Sequence, residues 1–213
     1  MARRFMSHAR LAAGWAEFGA RPKVELHRHL EGAVRLSTVL DLAQQHGVAL
    51  PHGVDGAMTP APALTLEGIR PHIQTLAPFP SLEALLDIFN HTQSTFGDVA
   101  ACERIAREAV LDAHAEGIRV LELQYAPSFA SIGHGYAFED VLSAVEEGVR
   151  EGQRQLGGED EIGVGLICIG VGAMGPEEMQ KTTDFFLARQ DAFCGFDMAP
   201  RRTCCSTKNA SAT

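Results

Sequence analysis

A chain of 213 residues, 46% hydrophobic and 21% charged, is long enough to bury the core of one ordinary domain and is not compositionally disordered. Its net charge of −9 argues against a nucleic-acid backbone or an anionic membrane as the main partner and leaves a small nucleoside or base open. No apolar run reaches the length of a membrane-spanning helix. The five cysteines, Cys102, Cys168, Cys194, Cys204 and Cys205, have no C-x-x-C spacing and read as buried thiols of a reducing cytoplasm, the last two in an odd tail.

Residues 1–20 carry early arginines and many alanines, and His8 and Glu17 interrupt any apolar centre. This stretch reads as an amphipathic leading helix rather than a cleaved signal. "KVELHRHL" is the first strand. Ser37 or Thr38 is expected to start a helix that Gly47 ends. Residues 51–80, rich in Pro, Gly and Ala, predict a long connection with at most short helical pieces, because Pro71 interrupts the only candidate.

Ser81 caps "LEALLDIFNHTQSTF", and Asp98 caps "VAACERIAREAVLDAHAE", which Gly117 stops. Glu103–Arg107 and Arg104–Glu108 are expected as pairs on the wet side of that second helix. "IRVLELQY" is a strand closed by Pro127, and "FEDVLSAVEEGVREGQRQL" an amphipathic helix that Gly157 stops. "IGVGLICI" has the apolar character of a strand buried on both faces. Pro176 opens another helix, and "FCGFDMA" reads as the fourth strand. This alternation predicts an α/β fold with a parallel sheet and crossover helices.

Side chains alternate across a strand, so Glu25, His27, His29 and Glu31 are expected on one face and Val24, Leu26, Arg28 and Leu30 on the other. Two imidazoles on one side of a strand can ligate a single metal ion through their ring nitrogens. A bare H-x-H pair arises often by chance. Its position at a strand end, followed by Glu31 and by Gly32, which lets backbone or ligand approach closely, sets this one apart. Glu122 and Gln124 share a face of the second strand, a polar interior pair as readily structural as substrate-contacting. His8, His46, His52, His72, His91, His114 and His134 lack partner spacing and read as solvated surface. "GVGAMG", Gly170–Gly175, reads as a flexible loop and not a phosphate cradle.

"PKVELHRHLEGAVR", Pro22 to Arg35, resembles the first-strand signature of the adenosine deaminase family, a branch of the metal-dependent amidohydrolases, matching P-K-x-E-L-H-x-H-L-[DEN]-G at every fixed position. "EGIRVLELQYAPS", "GLICIGVGAMGPEEM" and "GFDMA" resemble the family's second, third and fourth strand ends, so the likeness covers residues 20–199. The resemblance implies a TIM (β/α)8-type barrel, here its first four strands with a helical excursion after strand 1. It divides the chain into an N-terminal extension (1–20), a half-barrel (21–199) and a non-family tail without helix or strand pattern (200–213).

It also implies zinc as cofactor, a small-molecule purine as partner, no nucleic-acid or membrane partner, a cytoplasmic location, and hydrolytic loss of the 6-amino group of adenosine or adenine. His27 and His29 become the first two zinc ligands, and His29 and Glu31 lie at the sugar side of the pocket. The family's third zinc histidine, proton-shuttling glutamate, second catalytic histidine and zinc-side aspartate come from later strands, so no catalytic residue is named. The expectation is a truncated chain, inactive alone; the alternative is a non-catalytic half-barrel that binds a partner.

Overall fold

The computed structural model describes residues 19, 21–75, 77–131 and 135–199, without the side chains of Leu82 and Glu83. Apart from Gly19, the extension expected over 1–20 and the tail over 200–213 lie outside the described residues. In chain order the elements are β1 (Lys23–His29), α1 (Leu36–His46), β2 (Leu50–His52), β3 (Ala57–Thr59), α2 (Leu66–Ile73), α3 (Leu82–Gln93), α4 (Val99–Ala115), β4 (Ile118–Tyr125), α5 (Pro127–Ser131), α6 (Phe138–Leu156), β5 (Gly163–Val171), α7 (Pro176–Ala188) and β6 (Gly195–Ala199). β1, β4, β5 and β6 form one parallel sheet in that order, half the strand number of a TIM-type barrel. The four strands follow "KVELHRHL", "IRVLELQY", "IGVGLICI" and "FCGFDMA", and α1 to α3 with a small hairpin make up the excursion after the first.

The two faces of this sheet differ. Leu121, Leu123 and Tyr125 of β4 and Leu166 and Cys168 of β5 point outward into the main core, beneath Ile105 and Ala109 of α4 and Val141, Val145 and Val149 of α6. α4 and α6 pack with their backbones nearly touching. A Cβ on Gly148 would sit 2.2 Å from the Glu103 carbonyl oxygen, and one on Gly152 2.9 Å from the Val110 Cβ. Only a residue without a side chain fits at either position. A second cluster, with Val39, Leu50 and Ile69, joins α1 and α2 to the hairpin.

Several caps are as the sequence predicts: Ser81 and Asp98 accept hydrogen bonds from the Ala84 and Ala101 amides, and Gly47 and Gly157 end their helices in the left-handed region. Other expectations need correction. α1 starts at Leu36 with no side-chain cap; Thr38 is buried and donates to Glu108 Oε2 at 2.5 Å. Arg104–Glu108 forms, at 2.9 Å, but not on a wet face. Glu108 is buried in the α1–α4 seam, and Arg104 also reaches Asp41 at 2.9 Å.

Residues 51–75 add a strand pair to the short helical pieces expected there. Gly53 and Gly56, both at positive φ, turn β2 into β3. α2 contains Pro71 and ends two residues after it, at Ile73. Cys102 and Cys168 are buried, but Cys194, just before β6, is exposed. Gly172–Met174 forms a 3-10 turn in place of a loose loop. Among the described residues no helix is long and apolar enough to cross a membrane.

Candidate metal centre

The register of β1 against β4 decides which of its side chains face the barrel interior. Glu25 lies opposite Leu121 and Arg28 opposite Leu123, so Leu26 and His27 together lie opposite Glu122. Two residues against one is a β-bulge, and it resets the alternation. Leu121 and Leu123 face the helices, which puts Glu25 and Arg28 on that side too. His29, opposite Gln124, faces inward. The expected faces are therefore wrong for Glu25, which leaves the histidine side, and for Val24, which pairs with Val120 on the inner face. Glu25 lies 3.8 Å from Arg28, which is held by Glu116 at 2.6 Å.

The bulge leaves the two imidazoles together. Their ring centres are 5.1 Å apart and the planes cross at 81°. Two imidazoles bound to one tetrahedral zinc through nitrogens about 2.0–2.1 Å from the metal have ring centres roughly 5 Å apart, so the spacing fits a shared ion. Phe89 of α3 packs edge-on against His29, 5.6 Å between ring centres. Gly32 makes room for that ring, since a Cβ there would lie 3.2 Å from it. An open groove of about 640 Å³ runs past both histidines, lined also by Arg28, Arg35, Phe89 and Asp112.

Burial pushes the pKa of His29 down, and the neighbouring His27 pushes it the same way; Asp197 pulls against them. Asp197 pairs with Ile169 on the inner face, so this carboxylate of β6 acts on His29 from the far side of the half-barrel. The net depression keeps His29 neutral at pH 7, the form in which a ring nitrogen can bind a metal.

Glu31 sits in the turn Leu30–Gly32, sealed from solvent at 3% exposure. Its Oε1 accepts the Ala126 amide at 2.9 Å, while Oε2 has no hydrogen-bond partner and lies 4.0 Å from His29 Nδ1. Burial raises its carboxyl to about 7, against the lowering effect of backbone hydrogen bonds from Ala126 and from Glu31 itself. Thr92 of α3 donates to the Glu31 carbonyl at 2.9 Å, so the turn after β1 is tied to α3 and to the end of β4. Gln124 is buried on the inner face with its Nε2 unpartnered, and Glu122 shares that face half-buried.

The chain therefore brings together two nitrogen donors and a nearby buried carboxyl. Among the described residues no group of three or more His, Cys, Asp or Glu is arranged to hold an ion. Most remaining histidines are built into the structure rather than solvated. His46 lies 3.7 Å from Asp98, His114 3.5 Å from Glu161, His72 meets the Gly53 carbonyl at 2.8 Å and His52 meets Thr65 at 3.0 Å. Burial lowers the pKa of half-buried His91, while His8 and His134 lie outside the described residues. Sequence reasoning missed Phe89 and the action of Asp197 on His29. An acidic residue in the otherwise apolar "GFDMA" was the available signal for the second.

A family model described as adenosine deaminase matches residues 22–211. The curated adenosine deaminases of Aliivibrio fischeri (strain MJ11) and Serratia proteamaculans (strain 568) are each 34% identical over 178 residues, covering 84% of this chain and 49% of theirs. The chain spans about half the length of the curated relatives it matches. Among solved structures, a zinc-bound cog1816 amidohydrolase from Burkholderia ambifaria superposes with a TM-score of 0.71 at 27% identity, covering 95% of this chain and 50% of that one. Arabidopsis ADAL complexed with GMP superposes with a TM-score of 0.66 at 25% identity, covering 88% and 52%.

Proposed function

The chain belongs to the adenosine deaminase family, and we propose on that premise that it carries the first half of a zinc-dependent deaminase that removes the 6-amino group of a purine, adenosine or adenine, by hydrolysis. The observation that carries this reading is the His27–His29 pair, 5.1 Å between ring centres at the carboxyl end of β1, where catalytic metals sit in parallel barrels. His27 and His29 would hold the ion. When bound, zinc supplies the acidity that makes a water molecule nucleophilic near neutral pH. The relatives support the substrate class: the bacterial ones are adenosine deaminases, and the Arabidopsis protein is complexed with GMP, a purine nucleotide.

His29 and Glu31 take the sugar side of the pocket. Support comes from the buried, unpartnered Glu31 Oε2, 4.0 Å from His29 Nδ1. Phe89 and Gly32 hold His29 in place from the α3 side, and the Ala126 amide fixes the other Glu31 oxygen.

Two imidazoles fall short of the three protein ligands usual for a catalytic zinc, which favours a second reading for the chain alone: a half-barrel that holds zinc weakly and does not turn over. The test is a chimera in which residues 22–199 replace the corresponding half of the Aliivibrio fischeri adenosine deaminase. The chimera is expected to retain one zinc and release ammonia from adenosine, the His27→Ala chimera to lose both, and the chain alone to do neither. Full zinc content in the His27→Ala chimera would refute the ligand role. Tight stoichiometric zinc with steady ammonia release from the chain alone would refute the second reading.

A further inference from the structure

Two polar side chains beside the histidine pair are sealed from solvent and unsatisfied. Glu31 is 3% and Gln124 1% exposed, and among the described residues neither Glu31 Oε2 nor Gln124 Nε2 has a hydrogen-bond partner. A carboxyl oxygen or an amide N–H left unmet in the interior is costly. Each of the two atoms keeps less than 1 Å² of exposed surface, so in this arrangement its partner has to lie within. Ile167, beside Gln124 on β5, has no polar side-chain atom to offer.

The register puts both groups beside one imidazole. His29 of β1 pairs with Gln124 of β4 on the inner face. Glu31 follows His29 by two residues, and its Oε1 accepts the amide of Ala126, two residues after Gln124, at 2.9 Å. In an extended strand that amide lies about 5 Å from the Gln124 Cα, roughly the reach of a glutamine side chain. Glu31 Oε2 is 4.0 Å from His29 Nδ1, too far for a direct hydrogen bond. Two hydrogen bonds of about 2.8 Å meeting at one water near a right angle span that gap.

We propose that Gln124 is a positioning residue of this site, bridged by one trapped water to Glu31 Oε2 and His29 Nδ1, and that it thereby fixes which nitrogen of His29 is free to bind an ion. The water accepts from the Gln124 amide and from His29 Nδ1–H and donates to Glu31 Oε2. Three bonds lie within the range that a buried water makes. With its proton held on Nδ1, His29 presents the lone pair of Nε2, the way an outer partner orients a metal-bound histidine. A sugar hydroxyl that contacts Glu31 then binds by displacing this water and taking over its bonds. The water site itself needs no metal, whereas its part in metal binding rests on the function proposed above.

A crystal structure of the metal-free full chain, at a resolution that shows ordered water, tests the bridge. One water is expected within hydrogen-bond distance of Gln124 Nε2, Glu31 Oε2 and His29 Nδ1. Empty space there, or a direct Gln124–Glu31 bond, overturns the proposal. Nitrogen NMR of the same metal-free chain near neutral pH is expected to show His29 as the Nδ1–H tautomer. Gln124→Met, of similar length but without the donor, is expected to mix the two tautomers and to weaken zinc binding about tenfold in a chelator competition. A merely structural role leaves the tautomer where it was. An unchanged tautomer and unchanged zinc affinity in a folded Gln124→Met chain overturn the proposal. Should that variant fail to fold by circular dichroism, the water position in the parent decides. Zinc binding indifferent to His27→Ala, with the water in place, defeats the proposed metal centre and leaves the bridge standing.

Discussion

The outer and inner faces of the sheet are built from neighbouring residues of the same strands and end in opposite environments. On the outer face Leu121, Leu123 and Cys168 are fully buried under α4 and α6, whose glycines bring the helices into backbone contact. On the inner face Val24 and Val120 stand largely open, and the polar groups His27, His29, Gln124 and Asp197 occupy the end of the strands. Stability is concentrated on one face and chemistry on the other. Packing substitutions on the outer face are therefore expected to act on stability first, and substitutions of His27 or His29 on metal binding first.

The largest effect is expected at the helix crossing. Gly148→Ala drives a Cβ toward the Glu103 carbonyl 2.2 Å away, and the helices must part. We expect a loss of about 3 kcal/mol, a fall of roughly 10 °C in the thermal melt, with no selective effect on metal binding. A melt within a degree or two of the parent would show that the outer face does not hold the fold.

A middling effect is expected from pH. The Glu31 carboxyl is raised from 4.5 to about 7 by burial, so the folded state holds a proton that the unfolded state has lost across that window. Its contribution to stability is intact below pH 4.5 and is lost as pH rises through 7, on the order of 2–3 kcal/mol. His29, with a depressed pKa, acts in the opposite sense below pH 6.5. The informative quantity is therefore the difference between the metal-free parent and Glu31→Gln. That difference should move in the parent's favour on going from pH 7.5 to pH 5; a flat difference would mean the carboxyl is already ionised in its site.

The smallest perturbation compares thiols. Burial pushes Cys102 and Cys168, beneath the helices, up to about 12; it raises Cys194 as well, but that side chain is exposed. Brief iodoacetamide treatment of the folded chain at pH 8, followed by peptide mapping, should modify Cys194 and spare the other two, with no change in the melt. Equal labelling of Cys168 would mean the outer face opens readily.

The sequence carried the four-strand alternation, the two histidines and most helix stops, because capping and periodicity are local signals. "VAACERIAREAVLDAHAE" and "FEDVLSAVEEGVREGQRQL" correspond to α4 and α6 within a residue. What it did not carry depends on partners distant in the chain. The bulge at Leu26–His27 exists only in relation to Glu122, so strict alternation put Glu25 on the wrong face. Arg104–Glu108 has the spacing of a solvated helix pair, and only the approach of α1, with Thr38 and Asp41, buries it. Asp197 reads as a strand residue until the sheet brings its charge to bear on His29.

The central claim is that His27 and His29 bind the same ion. Anomalous diffraction at the zinc edge, from crystals of the chain grown with zinc chloride, tests it most directly. The account predicts one peak about 2.0–2.1 Å from a ring nitrogen of each histidine. Separate peaks on the two rings, or zinc at His46 or His114 with none between His27 and His29, would contradict it.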